Sequence, residues 1–233
     1  MIISHKYKYI FLKTTKTAGT SIEISLSRFC GKDDIITPIS SKDEEIRKEL
    51  GVFPQNCIYT RPLELKEYRL KHLRSLILGG KQPQLETKLW NHMPASKIRK
   101  AIGTKIWNSY FKFCFVRNPW NRAVSRYYWN IEKTGKTESL SESLKNNNPN
   151  SNFYIYAIDN TLAVDYVGKH ENLMEDLSSI CDRLGIPFDK WLPQAKGGSR
   201  KDRRHYSEVL TEEQANLIRE KCAAEIEWFG YEF

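Results

Sequence analysis

The sequence lacks a long uninterrupted apolar run. Its longest, residues 110–116, is interrupted by Lys112, and neither a membrane span nor a signal peptide is visible in the 233 residues. A linker-like stretch is also lacking. A chain of this length without a linker predicts a single domain over residues 1–233.

Cysteine is scarce and widely spaced. The chain has neither a CxxC pair nor clustered histidines, and its five cysteines are Cys30, Cys57, Cys114, Cys181 and Cys222. This spacing argues against a structural zinc site, and we expect no bound metal. An odd number of dispersed thiols favours a reducing compartment, so we expect a cytoplasmic protein.

Negative charge is the minority charge. The chain has 37 Lys and Arg residues against 28 Asp and Glu, a net charge of +9 at pH 7. Such an excess predicts an anionic partner, which could be nucleic acid, an acidic membrane surface, a nucleotide or an acidic glycan. A helix-turn-helix, an aromatic RNP strand and a zinc finger are all missing from the sequence, so nucleic acid is not expected.

A Walker A loop is also missing, but another anion-binding pattern lies near the start of the chain. Residues 9–12 predict a buried strand and residues 22–26 the first turns of a helix. In the loop between them, residues 16–21 supply one cation, three hydroxyls and one glycine, in the order Lys16, Thr17, Ala18, Gly19, Thr20, Ser21. With the amide groups of a helix N-terminus, these groups suit a phosphate or sulfate. Lysine precedes the only glycine, which argues against an ATP or GTP loop. Taken alone, this stretch would also fit a turn that only caps a helix.

Strands and helices alternate along the rest of the chain, which predicts an α/β fold with a mainly parallel sheet. We expect strands at 110–116 and 165–167, irregular segments at 33–41 and 51–62, and helices at 42–50, 63–78, 95–102, 119–132, 139–144, 172–184 and 211–228. Pro94 and Pro119 are predicted first helical residues and Asn118 an N-cap. Asn172 and Thr211 are predicted to begin capping boxes.

A second anion site is predicted where the strand at 110–116 meets the following helix. Arg117 ends the strand, and Ser125 follows eight residues later, roughly two turns into the helix. The arginine supplies a charged fork and the serine a hydroxyl donor for one phosphate. Two anion sites at the carboxyl ends of strands predict a nucleotide with phosphates at two positions.

Several of these motifs together resemble those of sulfotransferases. Residues 115–127, with Arg117 and Ser125, resemble the family's 3′-phosphate motif, and residues 16–21 its 5′-phosphosulfate loop. Residues 92–94, 165–168, 171–173 and 229–231 are also similar, and the branch most resembled is the bacterial one (family 2-like) related to the carbohydrate 2-O-sulfotransferases. The family commonly has His-x-Pro before the loop lysine. Here Lys13 replaces the histidine, which adds a second cation beside the phosphosulfate, and Thr15 replaces the proline.

The resemblance implies a P-loop-like three-layer sandwich with a mainly parallel central sheet and flanking helices. It implies 3′-phosphoadenosine 5′-phosphosulfate (PAPS) as co-substrate, 3′,5′-ADP as product and no metal. The sulfo group passes to an acceptor hydroxyl, expected on a carbohydrate or glycolipid. Lys16 is then the catalytic cation at the leaving phosphate, and His92 the catalytic base. A capping or packing role for His92 stays open; Glu23, His5 and His205 are weaker candidates for the base.

The basic loop at 196–204 resembles the segment that covers the donor in this family. Its paired glycines predict a hinge, and Ser199, Arg200, Arg203 and Arg204 are expected to contact substrate or form a lid. A plain solvated loop is the alternative. The basic helix at 63–78 is likewise either a solvated surface or the rim of an acidic acceptor site.

Two other function classes stay open at this point. One is an ATP-dependent, kinase-like phosphotransferase, which the missing Walker loop disfavours. The other is a non-catalytic polyanion-binding protein. The expected partner is a glycan or another hydroxyl-bearing acceptor, and a lipid-linked acceptor would bring peripheral contact with a membrane. The variable middle of the chain, residues 42–84, is expected to select the acceptor.

Overall fold

The computed structural model describes residues 1–135, 137–146, 151–195, 200 and 202–233. The strands are β1 (Ile2–Ser4), β2 (Tyr9–Leu12), β3 (Ile35–Ile36), β4 (Ile58–Pro62), β5 (Gln84–Lys88), β6 (Phe111–Val116), β7 (Ala157–Ile158), β8 (Thr161–Leu162) and β9 (Tyr166–Lys169). The helices are α1 (Gly19–Ser27), α2 (Ser41–Glu49), α3 (Leu70–Ile77), α4 (Ala95–Ile102), α5 (Thr104–Ser109), α6 (Pro119–Thr134), α7 (Leu140–Asn146), α8 (Phe153–Tyr156), α9 (Leu173–Leu184), α10 (Tyr206–Val209), α11 (Glu212–Lys221) and α12 (Ala223–Phe229). Short 3₁₀ turns lie at Leu65–Glu67 and His170–Asn172.

The central sheet is mixed and mainly parallel, as predicted. Its strand order is β3-β1-β2-β6-β9. Strand β6 pairs in parallel with β2 and with β9, so that Leu12 lies opposite Cys114 and Val116 opposite Lys169. Strand β1 is antiparallel to both of its neighbours. Because β2, β6 and β9 point the same way, their carboxyl ends meet at one edge of the sheet.

Side chains alternate between two apolar layers, one on each face of this sheet. On one face Ile10, Leu12 and Cys114 pack in a cluster with residues of α4 and α5. On the other face Phe11 and Phe113 pack against α1 and α9. The two clusters give the predicted three-layer α/β arrangement.

Helix α6 anchors a third cluster outside these layers. The indole Nε1 of Trp120 donates a 2.9 Å hydrogen bond to the carbonyl oxygen of Ala215 on α11. The buried Arg122 guanidinium donates to both carboxylate oxygens of Glu225 on α12, at 2.8 and 2.7 Å. These contacts fix the helix that carries Ser125 against the carboxyl-terminal helices.

Several local predictions differ from the structure. Strands β1 and β3 were not predicted, nor was the hairpin of β4 and β5, because these segments have only two to five residues each and are defined by their pairing partners. Strand β4 of this hairpin lies within the segment 51–62 that was predicted to be irregular. The helix predicted at 63–78 is shorter and covers only Leu70–Ile77.

The predicted helix ends also differ in part. Pro94 is the N-cap of α4 and not its first residue. Asn172 makes no side-chain capping bond, whereas the capping box of Thr211 is confirmed. The predicted terminal helix is divided into α11 and α12 at Cys222.

Within the described ranges, no helix combines the length and apolar character needed to cross a membrane.

Candidate active site

A cavity of about 530 Å³ lies at the carboxyl ends of β2 and β6. Its volume is in the range of small-molecule and nucleotide sites. It brings together most of the residues that the two motifs predicted. The lining residues are Lys13, Thr14, Thr15, Lys16, Ala18, Gly19, Thr20, Ser21, His92, Arg117, Ser125, Arg126, Trp129, His170, Leu192, Pro193, Gln194 and Ala195.

The loop after β2 turns sharply into α1. Lys16 and Ala18 both have left-handed backbone conformations, with φ of 62° and 59°. Helix α1 begins at Gly19, and its first internal hydrogen bond runs from the Ile22 amide to the Ala18 carbonyl. The amide groups of the first turn therefore have no acceptor within the helix, which is the usual basis of an anion site at a helix N-terminus.

Gly19 is required by the close approach of the chain before it. A Cβ atom at this position would lie 2.8 Å from Cγ of Lys13 and 3.3 Å from the carbonyl oxygen of Thr14. The single glycine of the loop thus lets the start of α1 pack directly on the end of β2.

Buried hydrogen bonds fix the loop from behind. Thr14 donates its hydroxyl to the carbonyl of Phe115 on β6 and lies 2.8 Å from the Thr17 hydroxyl. The Asn152 side chain accepts from the amide and hydroxyl of Thr15 at 3.1 and 2.7 Å, and donates to the Thr15 carbonyl at 3.0 Å. Asn152 was not singled out from the sequence.

Thr17 differs from Thr20 and Ser21 in the position of its side chain. Its side chain is buried, its hydroxyl contacts Thr14, and it is not among the residues that line the cavity. Of the three predicted loop hydroxyls, only those of Thr20 and Ser21 belong to lining residues.

Arg117 connects the second motif to the loop. It follows β6 directly, and the Asn118 side chain caps α6 by accepting from the amides of Trp120 and Asn121, each at 3.1 Å. The Arg117 guanidinium donates to the Lys16 carbonyl at 3.2 Å and to the Asn121 side chain at 3.0 Å. The two predicted anion sites are therefore neighbours.

The Arg117 guanidinium is only partly compensated. Burial, together with the nearby charge of Arg200, outweighs the opposite charge of Glu171 and lowers the pKa of Arg117 to about 10. Its Nε is buried and has no hydrogen-bond partner among the described residues. Ser125, two turns along α6, lines the same cavity. A half-buried cation with a spare donor, in a cavity that also contains a hydroxyl, is a chemical match for a phosphate.

His92 lies four residues after β5 and lines the same cavity. Its backbone is left-handed, with φ of 57°, and its Nδ1 lies 2.8 Å from the Lys13 carbonyl oxygen. Burial and the adjacent Lys13 charge lower the pKa of His92 to about 4. The imidazole is therefore neutral near pH 7.

Lys13 lines the cavity, but its ammonium is not available as a simple second cation. Its Nζ lies 2.8 Å from the buried carboxylate of Glu23, which also contacts the Met1 amino group at 2.9 Å and Arg47 at 3.3 Å. Burial raises the pKa of Glu23, but these three cations outweigh burial and lower the pKa to about 2. The Glu23 carboxylate therefore compensates the charge of Lys13, which the sequence predicted to lie beside the phosphosulfate.

The basic carboxyl-terminal loop does not line the cavity where it is described. Arg200 donates to the Asn121 side chain at 3.1 Å, so it shares this acceptor with Arg117. Arg204 pairs with Asp202 at 2.6 Å, and Arg203 is exposed. Ser199 and the paired glycines lie outside the described residues.

Comparison with known proteins decides the family. The model of the family described as "Sulfotransferase family" matches residues 1–232. The chain belongs to the sulfotransferase family. Membership makes it a PAPS-dependent transferase. An uncharacterized protein of Archaeoglobus fulgidus is 38% identical over 108 residues, which cover 41% of this sulfotransferase and 84% of that protein. A crystal structure of a sulfotransferase from Alicyclobacillus acidocaldarius is similar over 97% of this chain and 96% of that chain, with 17% identity and a TM-score of 0.46.

Trp129, Arg126 and His170 are among the lining residues of this sulfotransferase that were missed in the sequence. Trp129 lies on α6 one turn beyond Ser125, with the Lys16 ammonium 5.3 Å from its ring centroid. Arg126 is its neighbour on the same helix. His170 follows β9, and burial and the charge of Arg117 lower its pKa to about 4. The spacing of α6 could have indicated Trp129, whereas His170 required knowledge that β9 pairs with β6.

Proposed function

We propose that this sulfotransferase transfers the sulfo group of PAPS to a hydroxyl of a carbohydrate or glycolipid. Family membership implies the use of PAPS. One observation carries the assignment of the site: the 3.2 Å hydrogen bond from Arg117 to the Lys16 carbonyl, which makes two anion-binding groups parts of one cavity. A nucleotide with phosphates at its 3′ and 5′ positions has the matching charge pattern.

The 5′ end of the donor is assigned to the loop and the start of α1. Bound there, PAPS supplies an activated sulfo group and leaves as 3′,5′-ADP. Lys16 and the first-turn amides of Gly19, Thr20 and Ser21 stabilise negative charge on the leaving phosphate. Ala18 and Thr17 complete the turn, and Thr17 acts through its buried contact with Thr14. Fixed donors of this kind need no reorganisation during the reaction.

The 3′-phosphate is assigned to Arg117 and Ser125. The unpartnered Nε of Arg117 supports this assignment, because a phosphate oxygen would satisfy it and compensate the buried charge. Arg200 shares Asn121 with Arg117, which supports a role for it near the same phosphate. Arg203, Arg204 and Ser199 are proposed for a lid or for acceptor contacts.

The base is assigned to His92. A carbonyl oxygen only accepts, so its contact with the Lys13 carbonyl assigns the proton to Nδ1 and leaves the lone pair at Nε2. That lone pair accepts the acceptor's hydroxyl proton as sulfo transfer proceeds. Resemblance to sugar-modifying relatives, which use a histidine base, favours a carbohydrate acceptor. We expect the reaction to need no metal and to take place in the cytoplasm.

Nucleotide-induced stabilisation tests the donor assignment directly. We expect 3′,5′-ADP to raise the unfolding temperature, and ATP with Mg²⁺ to raise it much less. A larger shift with ATP would contradict the proposal. Incubation with labelled PAPS and candidate glycans then identifies the acceptor, and transfer of label to an amine or a protein in place of a glycan would refute the carbohydrate assignment alone.

A further inference from the structure

The segment between β4 and β5, residues 63–82, carries large aliphatic side chains in full contact with solvent. We call it the exposed arm. Leu65 is 93% exposed, Leu70 77%, Ile77 83% and Leu78 85%. Scattered exposed leucines are common, but four such aliphatic residues within fourteen positions are a concentration that favours an interaction surface.

Helix α3 places two of these aliphatic side chains on the same face. Leu70 and Ile77 are seven residues apart and therefore share one face of the helix. Arg74 lies one turn after Leu70, next to that face, and is exposed. Helices that lie in a membrane interface typically have an arginine beside their apolar face. Its aliphatic chain lies along the apolar surface, and its guanidinium reaches the headgroups.

The outward charge of the arm is positive. Residues 63–82 contain five Lys or Arg residues and two Glu residues, a net charge of +3. Both glutamates bond to protein groups: Glu64 accepts from the hydroxyl of Thr104 at 2.8 Å, and Glu67 accepts from Arg61 at 2.7 and 2.8 Å. Arg69, Arg74 and Lys81 are exposed.

We propose that the exposed arm docks on the surface of an anionic phospholipid bilayer. A bilayer offers both an apolar layer for the leucines and negative headgroups for the arginines and lysines. A solvated surface would not require the leucines. A second copy of this chain would present the same positive charge and repel the arm.

The arm is connected to the site by a short, direct path. Strand β5 leads from the arm through Leu89, whose amide donates to the Cys57 carbonyl at 2.7 Å, to His92. Docking would thus hold the cavity near the membrane, where a lipid-linked acceptor is located. This last step rests on the proposed function, whereas the docking itself does not.

Vesicle flotation of the full chain tests the proposal without donor or acceptor. We expect binding to vesicles of phosphatidylcholine mixed with phosphatidylglycerol, little binding to phosphatidylcholine alone, and release as salt is raised. The double variant Leu70→Ser/Ile77→Ser should weaken partitioning into vesicles by about tenfold or more, because each change removes methylene groups that the bilayer would bury. Arg69→Glu/Arg74→Glu should abolish the preference for anionic vesicles.

Matched controls lie on other elements, outside residues 63–82. Leu162→Ser replaces another exposed leucine and Lys221→Glu another exposed cation, and neither should change flotation. Circular dichroism and nucleotide-induced stabilisation establish that the variants are folded. Absence of binding to anionic vesicles, or binding that both double variants retain, would overturn the proposal. So would an oligomer in light scattering that the apolar variant converts to a monomer without any vesicle binding in the wild type.

Discussion

The imidazole Nδ1 of His92 and the carbonyl oxygen of Lys13 are joined by a 2.8 Å hydrogen bond. Lys13 is also the residue on which Gly19 packs, and its ammonium pairs with Glu23 of α1. The loop that is proposed to bind the 5′ end of the donor therefore also sets the tautomer of the proposed base. Lys13 thus fixes the proposed base and the donor loop relative to each other.

The pH dependence of turnover should reflect this environment. The pKa of His92 is lowered to about 4, so its basic form persists well below neutral pH. We expect kcat/KM for PAPS, which reports the free enzyme, to fall only as the pH approaches this value. The acid limb of kcat should lie at higher pH, because the bound phosphates favour the imidazolium.

Substitution of the histidine separates a base from a packing residue. His92→Gln should lower kcat by about 10²-fold or more and remove the acid limb. His205→Gln, at an exposed histidine that does not line the cavity, is the control. Turnover close to wild type in His92→Gln would eliminate the base assignment.

Lys16 should act mainly on turnover. Lys16→Ala is expected to lower kcat by roughly 10²–10³-fold, because a fixed cation at the leaving phosphate is lost, while the affinity for 3′,5′-ADP changes less. Lys133 is a matched control, since its ammonium lies 4.9 Å from the same Trp129 ring but outside the cavity lining. Equal losses in Lys133→Ala and Lys16→Ala would contradict a role specific to Lys16.

Asn152 should stabilise the donor loop. Its buried amide group makes three hydrogen bonds with Thr15, so Asn152→Ala should lower the free energy of unfolding by about 2–4 kcal/mol, as loss of several buried bonds does. Urea unfolding measures this, with Asn216→Ala on an exposed face of α11 as the control. An unchanged unfolding midpoint would show that the loop is held by other contacts.

The buried Glu23 should make a pH-dependent contribution to stability. Glu23→Gln removes the carboxylate that pairs with Lys13, Arg47 and the Met1 amino group, and should cost about 3–5 kcal/mol near neutral pH. The pKa of Glu23 falls from 4.5 to about 2 on folding. The contribution is therefore complete above pH 4.5 and is lost as the pH falls through that window.

Unfolding measured in urea at a series of pH values checks this sign. The difference between wild type and Glu23→Gln should shrink below pH 4.5, because protonated Glu23 resembles glutamine. Asp189→Asn, which breaks the exposed pair with Arg28, should have little effect at any pH. A difference that stays constant down to acid pH would contradict the ion-pair account.

The features that were predictable from the sequence are those with local causes. The apolar run of β6 and the cap formed by Asn118 and Pro119 depend on neighbours along the chain, and both are found as predicted. The pairing of Lys13 with Glu23 was not predictable, because the other partners of Glu23, Met1 and Arg47, are brought to it from distant parts of the chain. His170 and Asn152 reach the site only through strand pairing and helix packing.

Thr17 illustrates the same limit within a single loop. The sequence counts its hydroxyl with those of Thr20 and Ser21, but the left-handed residues on either side of it, Lys16 and Ala18, accompany an inward-facing Thr17. Left-handed backbone at residues other than glycine is rarely predictable from composition. The sequence thus placed the loop between a strand and a helix, as found, while the direction of each side chain required the fold.

Calorimetry with wild type and Arg117→Ala tests the central claim, that the cavity holds a nucleotide by both of its phosphates. We expect 3′,5′-ADP to lose about 10–100-fold in affinity in Arg117→Ala, as for loss of a charged hydrogen bond, while 5′-AMP binds both proteins equally. Arg99→Ala, at an exposed position of α4, should bind both nucleotides as wild type does. Equal affinity of wild type and Arg117→Ala for 3′,5′-ADP, or parallel losses for both nucleotides, would contradict the assignment.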